Sequence, residues 1–323
     1  MKETGPKAIV FGAGKMACGL LGQLLAQSGF EIVFVARRAE VIDAINRRQG
    51  YTLTITGKST DQLTIRKCRA LSIQDESAVA GAVASADVVF TAVGIDNLTA
   101  ITPVIARGLW QRSLGRKASP LNVIACENLP GAGAYLRHQV VSAAPLPHET
   151  AVERIGGFSA GLTRRIMTGG AISNGELTFT ANVEYDLLID VEGLKGAFPE
   201  VCGATFTDEF PAMVMRKLFL LNCAQAAAAF LGYHEECRYI HEAATHPRVA
   251  PVVRAALAEA QAALKAEFPR QAEAIDREAA EALVRIANAE LADAISRVAR
   301  GPRRKLSPRE RLVGPARLAQ QHG

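Results

Sequence analysis

A glycine-rich segment close to the start of the chain has the composition of a phosphate-binding turn. The apolar run Ala8–Phe11 is followed by Gly-Ala-Gly-Lys-Met-Ala at positions 12 to 17, and a helical apolar pattern extends from Met16 to Ser28. Gly12 can make a tight turn out of the strand, and Gly14 has no Cβ, so a pyrophosphate could reach the backbone N–H groups at the helix start. A strand, this turn and a helix in that order predict a dinucleotide-binding site rather than a glycine-rich turn without a ligand. The residues expected to line the site are Gly12, Ala13, Gly14, Lys15 and Met16, with Gly19 further along the helix.

Two arginines follow the second predicted strand, Glu31–Val35. In dinucleotide-binding folds an Asp or Glu at this place binds the ribose 2′-OH. This chain has Ala36, Arg37 and Arg38 there, and guanidinium groups can pair a 2′-phosphate. The sequence therefore predicts a preference for NADP(H), with NAD(H) possible. The alternative is that both arginines are solvated charges at a helix start.

The first half of the chain alternates between strand-like and helix-like patterns. Strands that alternate with helices predict a mostly parallel sheet with helices packed on it. The further strands are expected at Val88–Val93 and Leu121–Ala125, the helices at Glu40–Arg48 and Leu98–Leu114, and a hairpin of Thr52–Thr56 with Gln62–Arg66 around Gly57-Lys58-Ser59.

The pattern changes after about residue 145. Two strand-like runs remain, at Leu177–Val183 and Tyr185–Asp190, and helical spacing dominates from Met213 onward, in particular over Val249–Phe268 and Gln271–Arg300. The sequence thus predicts an α/β protein: an N-terminal Rossmann domain with a doubly wound sheet (residues 1–147), followed by a mainly helical substrate domain (residues 148–323).

Composition narrows the classes of protein to consider. The chain has 323 residues, of which 49% are hydrophobic and 21% charged, so it can bury a large core and fits about two domains. Its net charge of +5 suits an anionic small ligand but is too weak to indicate nucleic acid binding. The six cysteines form no CxxC pair, which gives no ligand spacing for zinc. A charged and polar start and the absence of an 18-residue apolar run predict a cytoplasmic protein without a signal peptide or membrane span.

Three later segments carry a family resemblance. They are Ser-Pro-Leu-Asn-Val-Ile-Ala-Cys-Glu-Asn at 119–128, Arg-Lys-Leu-Phe-Leu-Leu-Asn at 216–222, and Arg-Lys-Leu-Ser at 304–307 with Arg311, Leu312 and Pro315. In this order they resemble the polyol-specific long-chain dehydrogenase/reductase family, in particular its mannitol-phosphate branch. The resemblance runs through nearly the whole chain and implies a Rossmann domain followed by a helical substrate domain.

The resemblance also implies roles for individual residues. Lys217 takes the place of the general acid/base, Asn222 helps to hold the reacting oxygen, and Asn128 contributes to the same polarising role. On the cofactor side it implies Ala92, Val93, Gly94 and Glu127. Arg304 and Lys305 would grip an anionic substrate; the alternative for them is a solvated, partly disordered C-terminal tail.

These residue types suit a hydride transfer that needs no metal. Hydride addition to a ketone leaves negative charge on the oxygen, a lysine can donate the proton, and amide N–H groups can stabilise the developing oxyanion. Lys217 and Asn222 are five residues apart, a little more than one helical turn, which lets both border one cleft. The predicted function is an NADP(H)-dependent oxidoreductase that interconverts a secondary alcohol and a ketone on a polyol, sugar phosphate or related anionic small molecule.

Two departures from the family keep other functions open. Gln225 stands where the family usually has a His, and Gln cannot carry a proton at neutral pH. The chain also stops soon after Pro315, where family members carry additional helices, so we expect it to be short at its C-terminus. The alternatives are an opine- or ketopantoate-type 2-keto acid reductase and a non-catalytic dinucleotide-binding sensor or partner protein. We expect a monomer or homodimer in each case.

Overall fold

The computed structural model describes residues 5–57, 60–115, 118–144, 147–163, 165–167 and 170–322. The chain divides into two units, Met1–Phe210 and Pro211–Gly323.

In its described residues, the first unit is an α/β structure with two sheets. Its strands are β1 (Lys7–Phe11), β2 (Glu31–Ala36), β3 (Gly50–Thr56), β4 (Thr60–Arg66), β5 (Cys68–Ser72), β6 (Val88–Thr91), β7 (Leu121–Ala125), β8 (Gly156–Leu162), β9 (Ala171–Ser173), β10 (Glu176–Asn182), β11 (Leu187–Asp190) and β12 (Ala204–Thr207). Its helices are α1 (Gly22–Gln27), preceded by a π-helical segment at Ala17–Leu21, α2 (Ala39–Arg48), α3 (Glu76–Ala84), α4 (Ile95–Ser113), α5 (Ala132–Ser142) and α6 (Glu149–Ile155).

The main sheet has the strand order β12-β11-β8-β7-β6-β1-β2-β5. The six strands from β8 to β5 are parallel to one another, while β11 pairs antiparallel with β8. β6 and β7 are buried along their whole length, as expected when both faces of a parallel sheet are covered. This is the order of the Rossmann fold, in which ligands bind at the carboxyl ends of the strands where the order reverses, here between β1 and β6. The predicted fold class is confirmed.

The second sheet has the order β4-β3-β10-β9. The predicted hairpin is present, since β3 and β4 pair antiparallel from Gly50 opposite Arg66 to Thr56 opposite Thr60. Two of its expected turn residues, Lys58 and Ser59, lie outside the described residues.

The division between the units falls at Phe210/Pro211 rather than at the expected 147/148. The reason is strand pairing across the expected boundary: β8 pairs with β7, and β10 pairs with β3. The alternation of strands and helices does stop near residue 145, but the strands that follow still belong to the sheets of the first unit.

The second unit is helical in its described part, which confirms the expected architecture. Its helices are α7 (Phe210–Phe219), α8 (Leu221–His234), α9 (Ile240–Thr245), α10 (Ala250–Glu267), α11 (Ala272–Ile286), α12 (Ile295–Val298), α13 (Pro302–Lys305) and α14 (Val313–His322), with 3-10 turns at Pro269–Gln271 and Ala289–Leu291. The helix expected over Gln271–Arg300 is interrupted, because α11 ends at Ile286 and Ala292 adopts a left-handed conformation with φ of 42°.

One helical stretch of the described chain, Phe210–His234, is long and apolar enough to cross a membrane by length and composition. It consists of α7 and α8 and is mostly buried, with Leu218, Ala228 and Ala229 in the core of the second unit. Burial in that core explains its apolar character.

Candidate functional site

The turn after β1 has the geometry that a pyrophosphate requires. Gly12 has φ of +101°, and a Cβ on it would lie 2.6 Å from the carbonyl oxygen of Ala92, so no other residue fits there. Gly14 is exposed, and no atom lies within 4 Å of the place where its Cβ would be. Helical structure begins at Lys15, and the N–H of Cys18 donates to the carbonyl of Gly14 (2.9 Å). The backbone at Gly14 is therefore open to an anion at a helix start, which fits the cofactor that the sequence predicts.

Gly19 has a different role from the one expected of it. It is buried in the π-helical segment, and a Cβ on it would lie 2.6 Å from the Cγ of Met167. Its small size therefore serves close packing against Met167.

The turn after β6 lies beside the glycine turn, because β1 and β6 are neighbours in the sheet. The N–H of Ala92 donates to the carbonyl of Phe11 (2.8 Å). Gly94 is exposed, has φ of +84° and has open space where a Cβ would lie. The structure thus brings Gly12 together with Ala92–Gly94 at the carboxyl edge of the sheet, as the sequence implied.

Glu127 holds this second turn from the end of β7. Its carboxylate accepts hydrogen bonds from the hydroxyl of Thr91 (2.7 Å) and from the N–H of Val93 (3.0 Å). Glu127 as a whole is only 7% exposed. Burial raises the pKa of the Glu127 carboxyl, while hydrogen bonds from Thr91, Val93 and Gly94 act in the opposite direction. These contacts make Glu127 a support for the turn that contains the expected cofactor residues.

The two arginines after β2 have different partners. Arg38 donates from Nε to the Glu40 carboxylate (2.7 Å), so its charge has a counter-ion. Arg37 donates from Nη1 to the amide oxygen of Asn97 (3.1 Å). Among the described residues, no carboxylate forms an ion pair with Arg37. Asn97, in the first turn of α4, also donates from Nδ2 to the carbonyl of Val93 (2.9 Å). Sequence reasoning missed Asn97, because nothing in its local pattern marks it.

Asn128 follows Glu127 directly and is exposed at the end of β7 in the first unit. The other residues expected to act on the substrate lie in the second unit.

Lys217 is half-buried in the last turn of α7, and Asn222 is half-buried in the first turn of α8. The chain leaves helical geometry between them, at Leu220 (φ −96°, ψ −80°), so the rotation of one continuous helix does not set their relative position. Asn222 donates from Nδ2 to the amide oxygen of Gln225 (3.3 Å). Gln225 thus lies against Asn222.

The residue before Lys217 anchors α7 within the second unit. Arg216 donates from Nε and Nη2 to the two carboxylate oxygens of Glu278 (2.9 and 2.5 Å) and from Nη1 to Gln271 (3.0 Å). The side chains of the ion pair are 6% and 17% exposed. This bidentate pair fixes the end of α7 against α11, and with it the backbone that carries Lys217.

The basic C-terminal segment is folded. Arg304 and Arg311 share the carboxylate of Glu310 (2.6 and 2.9 Å). Lys305 is 5% exposed, and its ammonium donates to the carbonyl oxygen of Val298. Burial, reinforced by the nearby arginines, lowers the pKa of Lys305 to about 8. Lys305, Glu310 and Arg311 are therefore buried and not solvated, while Arg303 and Arg304 are exposed.

No group of three or more His, Cys, Asp or Glu side chains in the described part of the chain is arranged to hold a metal ion.

Two family models match the chain. One, described as the mannitol dehydrogenase Rossmann domain, matches residues 6–198, and the other, described as the mannitol dehydrogenase C-terminal domain, matches residues 210–323. A mannitol-1-phosphate 5-dehydrogenase from Shouchella clausii (strain KSM-K16) is 35% identical over 318 residues, which are 98% of this chain and 84% of that protein.

Solved structures share the fold. A mannitol 2-dehydrogenase from Pseudomonas fluorescens, in a ternary complex with NAD and D-mannitol, superposes with a TM-score of 0.73 at 16% identity, over 92% of this chain and 71% of that chain. A PanE/ApbA family ketopantoate reductase from Ralstonia eutropha JMP134 gives a TM-score of 0.52 at 19% identity, over 98% and 96% of the two chains. At such identities these likenesses concern the fold alone.

Proposed function

Since the chain belongs to the mannitol dehydrogenase family, we propose that it interconverts a secondary alcohol and a ketone on a polyol or sugar phosphate. Membership of this family confirms the resemblance found in the sequence and the prediction of a dehydrogenase that acts on a CH–OH group. The observation that carries the proposed substrate class is the similarity, over 98% of this chain, to a mannitol-1-phosphate 5-dehydrogenase.

The first unit would bind a nicotinamide dinucleotide. When bound, this cofactor supplies the hydride or accepts it. The open backbone at Gly14 suits the pyrophosphate, and the turn Ala92–Gly94, held by Glu127, would line the nicotinamide side.

NADP(H) is the cofactor form that we propose. The position after β2 has no carboxylate for a ribose 2′-OH, and Arg37 has a guanidinium without a counter-ion among the described residues. A 2′-phosphate would supply that counter-ion, because Arg pairs phosphate oxygens with two parallel hydrogen bonds.

Lys217 is the proposed general acid/base. It would donate a proton to the carbonyl oxygen during reduction and take it back during oxidation, and the amide N–H groups of Asn222 and Asn128 would stabilise the oxyanion. The hydrogen bond to Gln225 orients the Asn222 amide. No metal is required in this scheme, because the lysine and the two amides already offset the developing charge.

An anionic group on the substrate would be held by the basic C-terminal segment. Arg304 is the candidate for direct contact, since its side chain is 41% exposed. Lys305, the next residue, is buried and donates a hydrogen bond to the carbonyl of Val298. Residues 293–311 contain six arginines and one lysine but only two carboxylates, Asp293 and Glu310. That excess of positive charge favours a phosphorylated substrate over a neutral polyol.

The test is a steady-state assay with mannitol 1-phosphate, mannitol and a 2-keto acid, each with both cofactor forms. We expect turnover of the phosphorylated polyol with NADP(H), and a loss of kcat of about 10²- to 10⁴-fold in Lys217→Ala. Lys265→Ala is the matched control, because this lysine pairs with Asp276 elsewhere in the same unit and should not affect kcat. Unchanged turnover in Lys217→Ala contradicts the acid/base assignment, and cofactor binding without turnover of any substrate favours a sensor.

A further inference from the structure

A chain of hydrogen bonds links the carboxyl ends of β2, β6 and β7. Arg37 donates to Asn97 (3.1 Å), Asn97 donates to the carbonyl of Val93 (2.9 Å), and the N–H of Val93 donates to Glu127 (3.0 Å). The hydroxyl of Thr91 closes the chain on the second oxygen of Glu127 (2.7 Å). The network therefore connects Arg37, where we expect the adenosine ribose of the cofactor, to the turn at Val93, where we expect the nicotinamide.

Asn97 has the central place in this network. Its backbone N–H donates to the carbonyl of Gly94 (3.0 Å) in the first turn of α4. This hydrogen bond fixes the backbone from which the Asn97 side chain extends. Its amide oxygen accepts a hydrogen bond from Arg37, and its amide nitrogen donates one to the carbonyl of Val93. Only one orientation of the amide satisfies both partners. A long arginine side chain loses rotamer entropy when it is ordered. Asn97 orders the Arg37 side chain before any ligand binds.

The neutrality of Asn97 matters as much as its position. A carboxylate in the same place would order Arg37 equally well but would neutralise it, as Glu40 does for Arg38. An amide instead leaves the full charge of Arg37 for a ligand, because it accepts a hydrogen bond without supplying a counter-ion. A dianionic phosphate is the ligand class that benefits most from an ordered, unneutralised guanidinium.

We infer that Asn97 is a specificity-determining residue: it holds Arg37 in place for the 2′-phosphate and thereby sets the preference for NADP(H) over NAD(H). The inference rests on the proposed preference for NADP(H), and it adds a residue that lies 60 positions from Arg37 in the sequence.

Binding measured without turnover tests it. Dissociation constants for NADPH and NADH are measured on the unliganded protein by nicotinamide fluorescence, for wild type, Arg37→Ala, Asn97→Ala and Asn97→Asp. In Asn97→Ala we expect the dissociation constant for NADPH to rise about fivefold to tenfold, because one ordered hydrogen bond to a charged group is lost. The dissociation constant for NADH should change less. In Asn97→Asp we expect the selectivity to fall at least as far, because the new carboxylate neutralises Arg37. Thr99→Ala is the matched control, since Thr99 is exposed on the same helix and contacts Tyr135.

Small fragments separate this effect from a disturbed Val93 turn. Adenosine 2′,5′-bisphosphate and adenosine 5′-monophosphate lack the nicotinamide, so their affinity ratio reports the 2′-phosphate alone. Retained binding of the monophosphate shows that each variant is folded.

The outcomes distinguish the two proposals. If Arg37→Ala loses the preference while both Asn97 variants keep it, the inference about Asn97 is wrong and the NADP(H) proposal stands. If wild type does not prefer NADPH, both are overturned. If wild type prefers NADPH and Arg37→Ala keeps that preference, the NADP(H) proposal stands, and the inference about Asn97, which acts through Arg37, is wrong. Loss of preference in Arg37→Ala and in both Asn97 variants, with Thr99→Ala unchanged, supports both.

Discussion

The carboxylate of Glu127, at the end of β7, accepts a hydrogen bond of 3.0 Å from the backbone N–H of Val93, which follows β6. Two neighbouring strands of the parallel sheet are thereby tied together at the edge where the dinucleotide is expected. The same carboxylate receives the hydroxyl of Thr91 at 2.7 Å, so both of its oxygens are used. Gly94, which comes next, has a positive φ and open space where a Cβ would lie.

Replacing Glu127 by Ala should loosen this turn. A buried hydroxyl and a part-buried N–H would lose their acceptor, at a cost of about 1 to 3 kcal/mol for the buried hydroxyl before relaxation. We expect the dissociation constants for NADPH and NADH to rise together, so that their ratio stays constant, unlike the effect of changing Asn97. Fluorescence titration of both cofactors checks this, and a change confined to one of them would contradict a purely positioning role.

The raised pKa of Glu127 gives a pH signature in stability. Between the ordinary value near 4.5 and the higher pKa of the folded state, the native protein holds a proton that the unfolded chain has released. The contribution of Glu127 to the free energy of unfolding therefore falls as pH rises through that window. Urea unfolding from pH 4 to 7 should show Glu127→Gln becoming more stable relative to wild type as pH rises. Glu200→Gln, at an exposed carboxylate of the same unit, is the control.

The ion pair of Arg216 with Glu278 should contribute strongly to the second unit. Removal of one partner leaves a largely buried charge, so Arg216→Met and Glu278→Met should each lower the free energy of unfolding by about 3 to 5 kcal/mol. The double variant should lose less than the sum, because neither charge is left alone. Denaturant unfolding of the four proteins measures this coupling, and strict additivity would show that the pair acts as two separate residues.

Gln225→His should add an ionisation to the reaction. Gln225 contacts Asn222, and an imidazole at this position titrates near pH 6.5 when unperturbed. We expect the pH profile of kcat/KM to gain a limb between about pH 6 and 7 that wild type lacks. The exposed Gln320 on α14 allows a matched control, Gln320→His. An unchanged profile in Gln225→His would place position 225 away from the reacting groups.

Lys305 should produce the opposite pH dependence of stability from Glu127. Its pKa is about 8 in the folded state and about 10.5 ordinarily, so the unfolded chain binds more protons between these values. Its contribution to the free energy of unfolding therefore rises with pH from 8 to 10.5. Lys305→Met, which keeps the length and apolar stem, should remove that rise. Thermal unfolding at several pH values is the measurement, and a rise retained in the variant would assign it to another group.

Local sequence was sufficient where function depends on backbone geometry and residue type at one place. The run Ala8–Phe11 followed by Gly12 and Gly14 predicted a strand, a turn and a helix start, because tight turns and close backbone approach demand glycine. The alternation of apolar segments predicted the Rossmann domain, and the helical spacing after Met213 predicted the second unit. The extent of the first unit was not predictable in the same way, since the glycine-rich strand Gly156–Leu162 has little β propensity and is stabilised by pairing with Leu121–Ala125.

The sequence by itself determined that two arginines follow β2, that a glutamate follows β7 and that Lys217 precedes Asn222 by five residues. Tertiary structure decided that Arg37 has an amide partner, because folding brings Asn97, which is distant in sequence, to 3.1 Å from its guanidinium, whereas Arg38 pairs with Glu40 only two residues along the chain. It also decided that Glu127 turns toward Val93 and that Lys305 is buried against Val298. Residue type limits what a side chain can bind, but its partners and its pKa depend on burial and on neighbours that folding alone brings within hydrogen-bonding distance.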